Sequence, residues 1–433
     1  MTVMTPYIGP KKVIEKKKEY QIPCSYHFYQ EPPQLVRGEM QYLYDSEGKK
    51  YLDFFAGVSV MNCGHCNEEI LDKTIHQMRT LQHTTSIYLT EPVVNLAEKL
   101  AEVTPGDLKR TFFCSTGSEA NEGAMLLAKL HTNHHEFIAL DLGLHGRTQL
   151  TMSATGIGMW RTTATPSGGI HFAPSPYCYR CPFGKEPESC QFACVDAVEK
   201  VITRNTSGRV AGMIVEPIQG NGGVIVPPKG YFKALKQVLN KYEIPLIVDE
   251  VQTGFARTGK MFAIEHFDVA VDVMTMAKAL GNGVPIAAYT TNEEMAASFT
   301  RPSASTLGGN PVSAVAGLAV LDYIEEHGLV EQARVLGEQL KSGLLELQKK
   351  HPIIGDVRGL GLMVGAELVR KEKEAATEEV DVILEKLKER GILLGKNGEF
   401  RNILAFVPPL VITKEDVDFL LNHLDEVLNE FVK

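Results

Sequence analysis

From residue 110 to about 290 the chain alternates short, unbroken apolar runs with longer mixed stretches. The runs are RTFFCSTG (110–117), EFIALDLG (136–143), VAGMIVEPI (210–218), PLIVDEV (245–251), DVMTMA (272–277) and PIAAYTT (285–291). They are mostly continuous in hydrophobicity, as expected of strands in a parallel sheet covered on both faces. Between them, SEANEGAMLLAKLHTN (118–133) and GYFKALKQVLNKYE (230–243) read as helices. The order predicts a doubly wound α/β arrangement, in which ligands sit at the carboxyl ends of the strands.

After Pro311 the pattern changes. Residues 311–328 and 329–351 read as two long helices, followed by a strand (GLGLMVGAELV, 359–369), a helix (378–390), a strand (NILAFVPPL, 402–410) and a last helix opened by Thr413 and Asp416 in a capping-box-like start. The segment MQYLYDSEGKKYLDFFAG (40–57) reads as a hairpin that joins this smaller α+β unit. The expected organisation is a small-domain segment over 1–62, a large domain over 63–314 with a mostly parallel seven-stranded sheet, and a C-terminal small domain over 315–433.

With 433 residues, 44% hydrophobic and 22% charged, the chain has the composition of a soluble globular protein, and its net charge of −9 gives no electrostatic reason to expect nucleic acid or an anionic membrane. The first twenty residues carry lysines without a following apolar stretch, so they do not read as a secretory signal, and no run approaches the ~20 apolar residues of a membrane helix. A cytoplasmic location follows as the expectation. Of eight cysteines, Cys178, Cys181, Cys190 and Cys194 form C-x2-C-x8-C-x3-C. That spacing is compatible with zinc, whereas the favoured reading is a compact loop of thiols that pack as small hydrophobes, with no metal.

Three pieces carry chemistry. Asp249 ends the strand PLIV, where an acid faces a ligand crevice; its plainer reading is a cap on the next turn. Lys278 follows an apolar strand and precedes a Gly-rich turn, a setting that disfavours the ammonium and supplies a neutral amine; the alternative is a lysine snorkelling from a strand end. Ser115, Thr116, Gly117 and Ser118 join a strand to a helix, so backbone N–H groups and hydroxyls make an anion site there.

Together with DFFAGVSVMNCGH, LHGRT, VEPIQGNGGV, VDEVQTGFARTGKMFA, AKALGNG, STLGGNP and FVPPLVIT, these pieces give the chain a resemblance, along nearly its whole length, to the class III (omega-amino-acid) aminotransferases. Members of the 4-aminobutyrate and alanine–glyoxylate types look most similar, some sharing YCYRCPFG. The resemblance implies pyridoxal 5′-phosphate (PLP) and the PLP fold type I. It makes Lys278 the Schiff-base lysine and proton shuttle, pairs Asp249 with the pyridine nitrogen and gives Gln252 the ring's phenolic oxygen. Gly117 and Ser118 then hold the phosphate. Thr306 reaches the phosphate of a neighbouring subunit's cofactor, which implies a homodimer, with a tetramer as the next possible assembly.

Two positions depart from the family. An aromatic residue usually stacks on the cofactor directly before the HG of HGR; here Leu144 stands there, followed by His145, both at the cofactor. The Arg of the xRFxPPL segment, which grips a substrate α-carboxylate, is replaced by Ala405, with Arg401 four residues earlier. Glu216, the partner of that Arg in relatives, is then available to an amine and is assigned to both cofactor and substrate. Arg147 remains as carboxylate anchor, and the small Val58 leaves room for substrate. The expected reaction moves an amino group from an amino acid, omega-amino acid or amine to pyruvate, glyoxylate or 2-oxoglutarate by a ping-pong mechanism. Racemisation or epimerisation of an amino acid by the same residues is the alternative.

Overall fold

The computed structural model describes residues 7–162, 167–187 and 189–431. Near the start lie strands β1 (Leu35–Glu39), β2 (Tyr42–Asp45) and β3 (Lys50–Asp53). The central strands are β4 (Arg110–Cys114), β5 (Glu136–Leu140), β6 (Ile170–Ala173), β7 (Val210–Val215), β8 (Leu246–Asp249), β9 (Val273–Met276) and β10 (Ala287–Thr291). The last are β11 (Ile354–Leu360), β12 (Met363–Leu368), β13 (Ile392–Leu393), β14 (Gly395–Asn397) and β15 (Ile403–Phe406).

The seven central strands form one sheet in the order β4-β10-β9-β8-β7-β5-β6. Every residue of β7, β8, β9 and β10 is buried, which explains their unbroken apolar runs. The pairs from β6 through β9 are parallel. Strand β10 runs antiparallel to both its neighbours, unlike the parallel strand that PIAAYTT suggests. The reason is length: the connection from β9 to β10 spans only residues 277–286, fewer than the dozen or more that a parallel crossover needs. Strand β6 has no counterpart among the apolar runs. It sits at the sheet edge, and three of its four residues are only half-buried.

Two smaller sheets flank this one. In the first, of order β1-β2-β3-β13, the expected hairpin β2–β3 forms, and β13 pairs parallel with β3 through Ile392–Leu52 and Leu393–Asp53. The two ends of the chain therefore share a sheet. The second has the order β11-β12-β15-β14. The run 359–369, read as one strand, is instead the bend and second arm of a hairpin turning at Gly361, whose φ is +52°. A Cβ there would lie 2.3 Å from the Thr258 carbonyl carbon, so glycine lets the hairpin tip press onto the large sheet's connection.

The helices Pro311–Glu326, Leu329–Lys350, Thr377–Glu389 and Lys414–Asn429 stand where the sequence suggests, and Thr413 and Asp416 cap the last reciprocally. Arg257, fully buried, ties the parts together. Its Nη1 donates to the carbonyls of Leu362 (3.0 Å) and Pro408, and its Nη2 to Asn62 Oδ1. Among the described residues no helix is long and apolar enough to cross a membrane.

Candidate active site

A cavity of about 520 Å³ opens at the carboxyl ends of β4, β7, β8 and β9. Asp249 closes β8 and is almost fully buried. Its Oδ1 accepts from Val251 N (3.0 Å), and its Oδ2 accepts from Asn121 Nδ2 (2.7 Å) and lies 2.9 Å from His145 Nδ1. Asn121 is itself fixed, donating to the His145 carbonyl (2.7 Å) and accepting from Thr275 Oγ1 (2.6 Å). Among the described residues His145 Nε2 is buried without a hydrogen-bond partner. These contacts hold the Asp249 carboxylate in one orientation at the cavity wall.

Lys278 follows β9 with φ +48°, a left-handed backbone that is costly for a residue with a Cβ and found where the surroundings enforce it. The protein packed around its amine lowers the Lys278 pKa, against upward pulls from Asp249 and Glu216. Burial likewise pushes the Glu216 carboxyl up to about 7; His145 pulls it down, Asp249 adds to the rise, and the amides of Leu144 and Gly220 pull it down. Glu216 is not idle for want of an arginine. Its Oε1 accepts from Leu144 N (2.8 Å) and its Oε2 from Gly220 N (2.9 Å), so it fixes both loops and offers only its remaining lone pairs.

At the other end of the cavity Thr116 caps the helix Gly117–Thr132, its Oγ1 accepting from Glu119 N at 3.2 Å. The N-terminal amides of that helix and the Ser118 hydroxyl, which accepts from Arg147 N at 3.0 Å, belong to the same wall. A Cβ on Gly146 would come within 2.6 Å of Ser118 Oγ, so the loop can approach the cradle only as glycine. Gln252 also lines the cavity, and a Cβ on Gly220 would collide with its Oε1 at 2.0 Å.

Leu144, Val58 and Arg147 line the same cavity. Thr306 does not; it is exposed. Ala405 is buried in β15 between Gly365 and Gly395, outside the wall. Arg401 stands behind the wall, its guanidinium 5.3 Å from the Phe28 ring centroid and its Nη2 3.3 Å from Tyr26 Oη. In the Cys178–Cys194 loop no three sulfurs come within 4.8 Å of one another, and the only such grouping of possible metal ligands among the described residues is the exposed Glu69, Glu326 and His327.

Sequence reasoning passed over several wall residues. Asn121 lies inside STGSEANE, and a buried polar residue beside Ala120, Ala124 and Met125 on one helix was the available signal. Tyr26, Phe28 and Phe55 come from loops, Trp160 from a single 3-10 turn and Asn397 from the end of the three-residue β14, and nothing in their spacing marks them.

An anion cradle at a helix N-terminus, a fixed carboxylate and an amine whose charging is disfavoured by burial, all on one cavity, match the phosphate, pyridine nitrogen and aldehyde of PLP. The comparisons agree. The family model described as "Aminotransferase class-III" matches residues 29–428. The alanine–glyoxylate aminotransferase 2 homolog 2, mitochondrial, of Arabidopsis thaliana is 44% identical over 97% of this chain and 88% of its own length. A leucine/methionine racemase of Thermococcus litoralis is 39% identical over 92% of this chain and 90% of its own. The omega transaminase of Pseudomonas jessenii, solved in complex with PMP, superposes with a TM-score of 0.89 at 31% identity, covering 96% of this chain and 97% of that one. This chain belongs to the class III aminotransferases, enzymes that use pyridoxal phosphate.

Proposed function

We propose that the protein moves an amino group from an amino acid, omega-amino acid or amine to a 2-oxo acid such as pyruvate, glyoxylate or 2-oxoglutarate. The observation that carries this reading is the placement of Asp249 and Lys278 at the ends of adjacent parallel strands, on one cavity with the helix N-terminus at Gly117. When bound, PLP supplies an aldehyde that links to amines and a ring that draws electrons from the linked carbon. Lys278 Nζ would hold it covalently and, displaced by a donor amine, would serve as the base that takes the proton from the donor's amine-bearing carbon and passes it on. Asp249, oriented by His145 and Asn121, keeps the proton on the ring nitrogen. Gln252 donates to the phenolic oxygen, and Gly117 and Ser118 hold the phosphate.

Leu144 covers one ring face by apolar contact, and Glu216 fixes the loop that carries it. Arg147 anchors a substrate carboxylate at the rim, and Val58 leaves space beside it. The exposure of Thr306, outside the wall of its own cavity, supports its reaching the phosphate of a second copy in a homodimer. The β3–β13 pairing supports grouping 1–62 with 315–433 around a central 63–314. We read the enzyme as cytoplasmic.

The name of the Arabidopsis relative makes alanine and glyoxylate the first pair to try. The racemase relative favours a second reading in which Lys278 returns the proton to the same carbon. Donors added singly to the holoenzyme, without acceptor, separate the two. Transfer predicts that alanine, 4-aminobutyrate, β-alanine, ornithine or an amine converts the visible cofactor absorbance to that of the aminated cofactor. Loss of optical rotation by an amino acid with no such conversion would establish racemisation instead.

A further inference from the structure

Tyr26 joins the wall of the catalytic cavity to a cation without a counter-ion. Arg401 closes the turn between β14 and β15 on a left-handed backbone of φ +57°. Its N donates to the Gly398 carbonyl (3.1 Å), and Gly398 N to that of Asn221 (2.9 Å), which pins the turn to the cavity wall. The guanidinium lies against Phe28, and its Nη2 donates to Tyr26 Oη at 3.3 Å. Among the described residues it makes no other hydrogen bond and no ion pair, and its Nη1 is buried without a partner. Asp381, the acid whose field reaches it, is paired with Lys396.

A hydroxyl that accepts from a guanidinium turns its own proton elsewhere, because arginine has no acceptor. Among the described residues the Tyr26 hydroxyl donates to none. Tyr26 is exposed on the cavity wall, within reach of an entering solute, whereas Nη1 of the cation behind it is shielded. The surface around it is aromatic. The Tyr26 ring centroid stands 6.0 Å from that of Trp160 and 5.8 Å from that of Phe28, which packs on Phe55 at 5.4 Å. Two neighbouring N–H donors are spent, Trp160 Nε1 on Asn221 Oδ1 (2.8 Å) and Asn397 Nδ2 on the Gly220 carbonyl (3.0 Å). An uncommitted O–H backed by an unpaired cation, beside an apolar surface, is complementary to a carboxylate carried on methylenes. An ammonium there would meet like charge, and a neutral amide would forgo the attraction.

We propose that the Tyr26 hydroxyl binds the carboxylate of an omega-amino acid, the one remote from the reacting amine, and that Arg401 is the positioning residue that orients this hydroxyl and supplies the charge behind it. The proposal rests on the amino-transfer reading and narrows its substrate class. With the amine at Lys278, the methylenes lie along Phe28, Phe55 and Trp160, which line the same cavity. The carboxylate of an α-amino acid sits on the reacting carbon itself and is left to Arg147.

Trp160 is the single tryptophan of the chain, so its fluorescence reports occupancy beside Tyr26 without turnover. The test titrates pentanoate, and pentanamide as its uncharged counterpart, into holoenzyme whose cofactor has been fixed to Lys278 by borohydride. We expect a saturable change with pentanoate and at least tenfold weaker binding of pentanamide. Tyr26→Phe and Arg401→Gln should each weaken pentanoate binding at least tenfold, whereas Arg401→Lys, which keeps the charge and a donor, should recover most of it. In turnover of the untreated enzyme, Arg401→Gln should lower kcat/KM for 4-aminobutyrate at least tenfold relative to butylamine and to alanine, through KM. Equal binding of the two probes, undiminished pentanoate binding by Tyr26→Phe or Arg401→Gln, or an equal loss with alanine would overturn the proposal. Failure of the amino-transfer reading would show separately, as no transfer from any donor by the unaltered enzyme, while the pentanoate titration still decides the roles of Tyr26 and Arg401.

Discussion

The most telling single residue is Glu216, whose carboxyl is pushed up to about 7 from an ordinary 4.5, first by burial. The folded chain without cofactor thus keeps a proton that the unfolded chain has released. Stability from this residue is whole below pH 4.5, declines as pH rises toward 7, and is flat above. The decline is about 3 kcal/mol, and Glu250, buried and raised to about 7 by the same cause, contributes a similar slope. Urea unfolding of the apo-protein at stepped pH should show this fall, and Glu216→Gln should remove about half of it; an unaltered slope would reject the assignment. Leu144→Phe adds an aromatic face worth roughly 0.5–1.5 kcal/mol, so cofactor dissociation, followed by fluorescence, should weaken severalfold. Asp249 and Lys278 were legible in the sequence because each is the first charged residue after an apolar strand. Asn121 was hidden because helix interiors also admit polar residues for reasons other than a site.

Among elements, the turn after β3 stands apart. Ala56, Gly57, Val58 and Ser59 have φ of 48°, 60°, 69° and 59°, one turn of left-handed helix. Each non-glycine residue so placed costs roughly 1–2 kcal/mol. The turn is held by Asp53, whose Oδ1 accepts from Phe55 N (2.8 Å) and Ala56 N (2.9 Å), while its Oδ2 lies 2.7 Å from His65 Nε2. The strain presents Val58 to the cavity. Val58→Gly should raise stability by roughly 0.5–1 kcal/mol, as relief of strain outweighs added chain entropy. It should also shift kcat/KM toward bulkier donors; a lower melting temperature would contradict the strain argument. Nothing in AGVSV signals this, since local propensity assigns left-handed backbone to glycine and not to valine. The central strands were legible because burial on both faces leaves a continuous apolar run. The reversal of β10 was not legible in the hydrophobic pattern, which carries no direction; its only signal was the length of the connection from β9.

At the scale of the molecule, Arg257 joins the large sheet's connection to both chain ends through Asn62, Leu362 and Pro408. Arg257→Met would leave three buried acceptors without their donor. Chemical denaturation should then register a loss of about 3 kcal/mol or more, from ~1–3 kcal/mol for each unmet acceptor; a loss near zero would mean that the hydrophobic contacts alone hold the parts together. The small sheets were only half legible. The hairpin 40–57 is local and announces itself, whereas the two-residue pairing of β13 with β3 spans more than three hundred positions of sequence and has no local signature.

That long-range closure has a consequence for synthesis. Lys278, Asp249 and the helix at Gly117 leave the ribosome well before Asn397, which completes the wall of the same cavity. At ~5–20 residues per second, the roughly 120 residues between Lys278 and Asn397 take on the order of 6–24 s. During that interval the nascent chain has the reactive amine and the anion cradle but no finished enclosure to depress the amine's basicity. The geometry therefore predicts that cofactor is captured only after the C-terminal segment is released: a chain truncated before Asn397 should fail to form the Schiff-base absorbance.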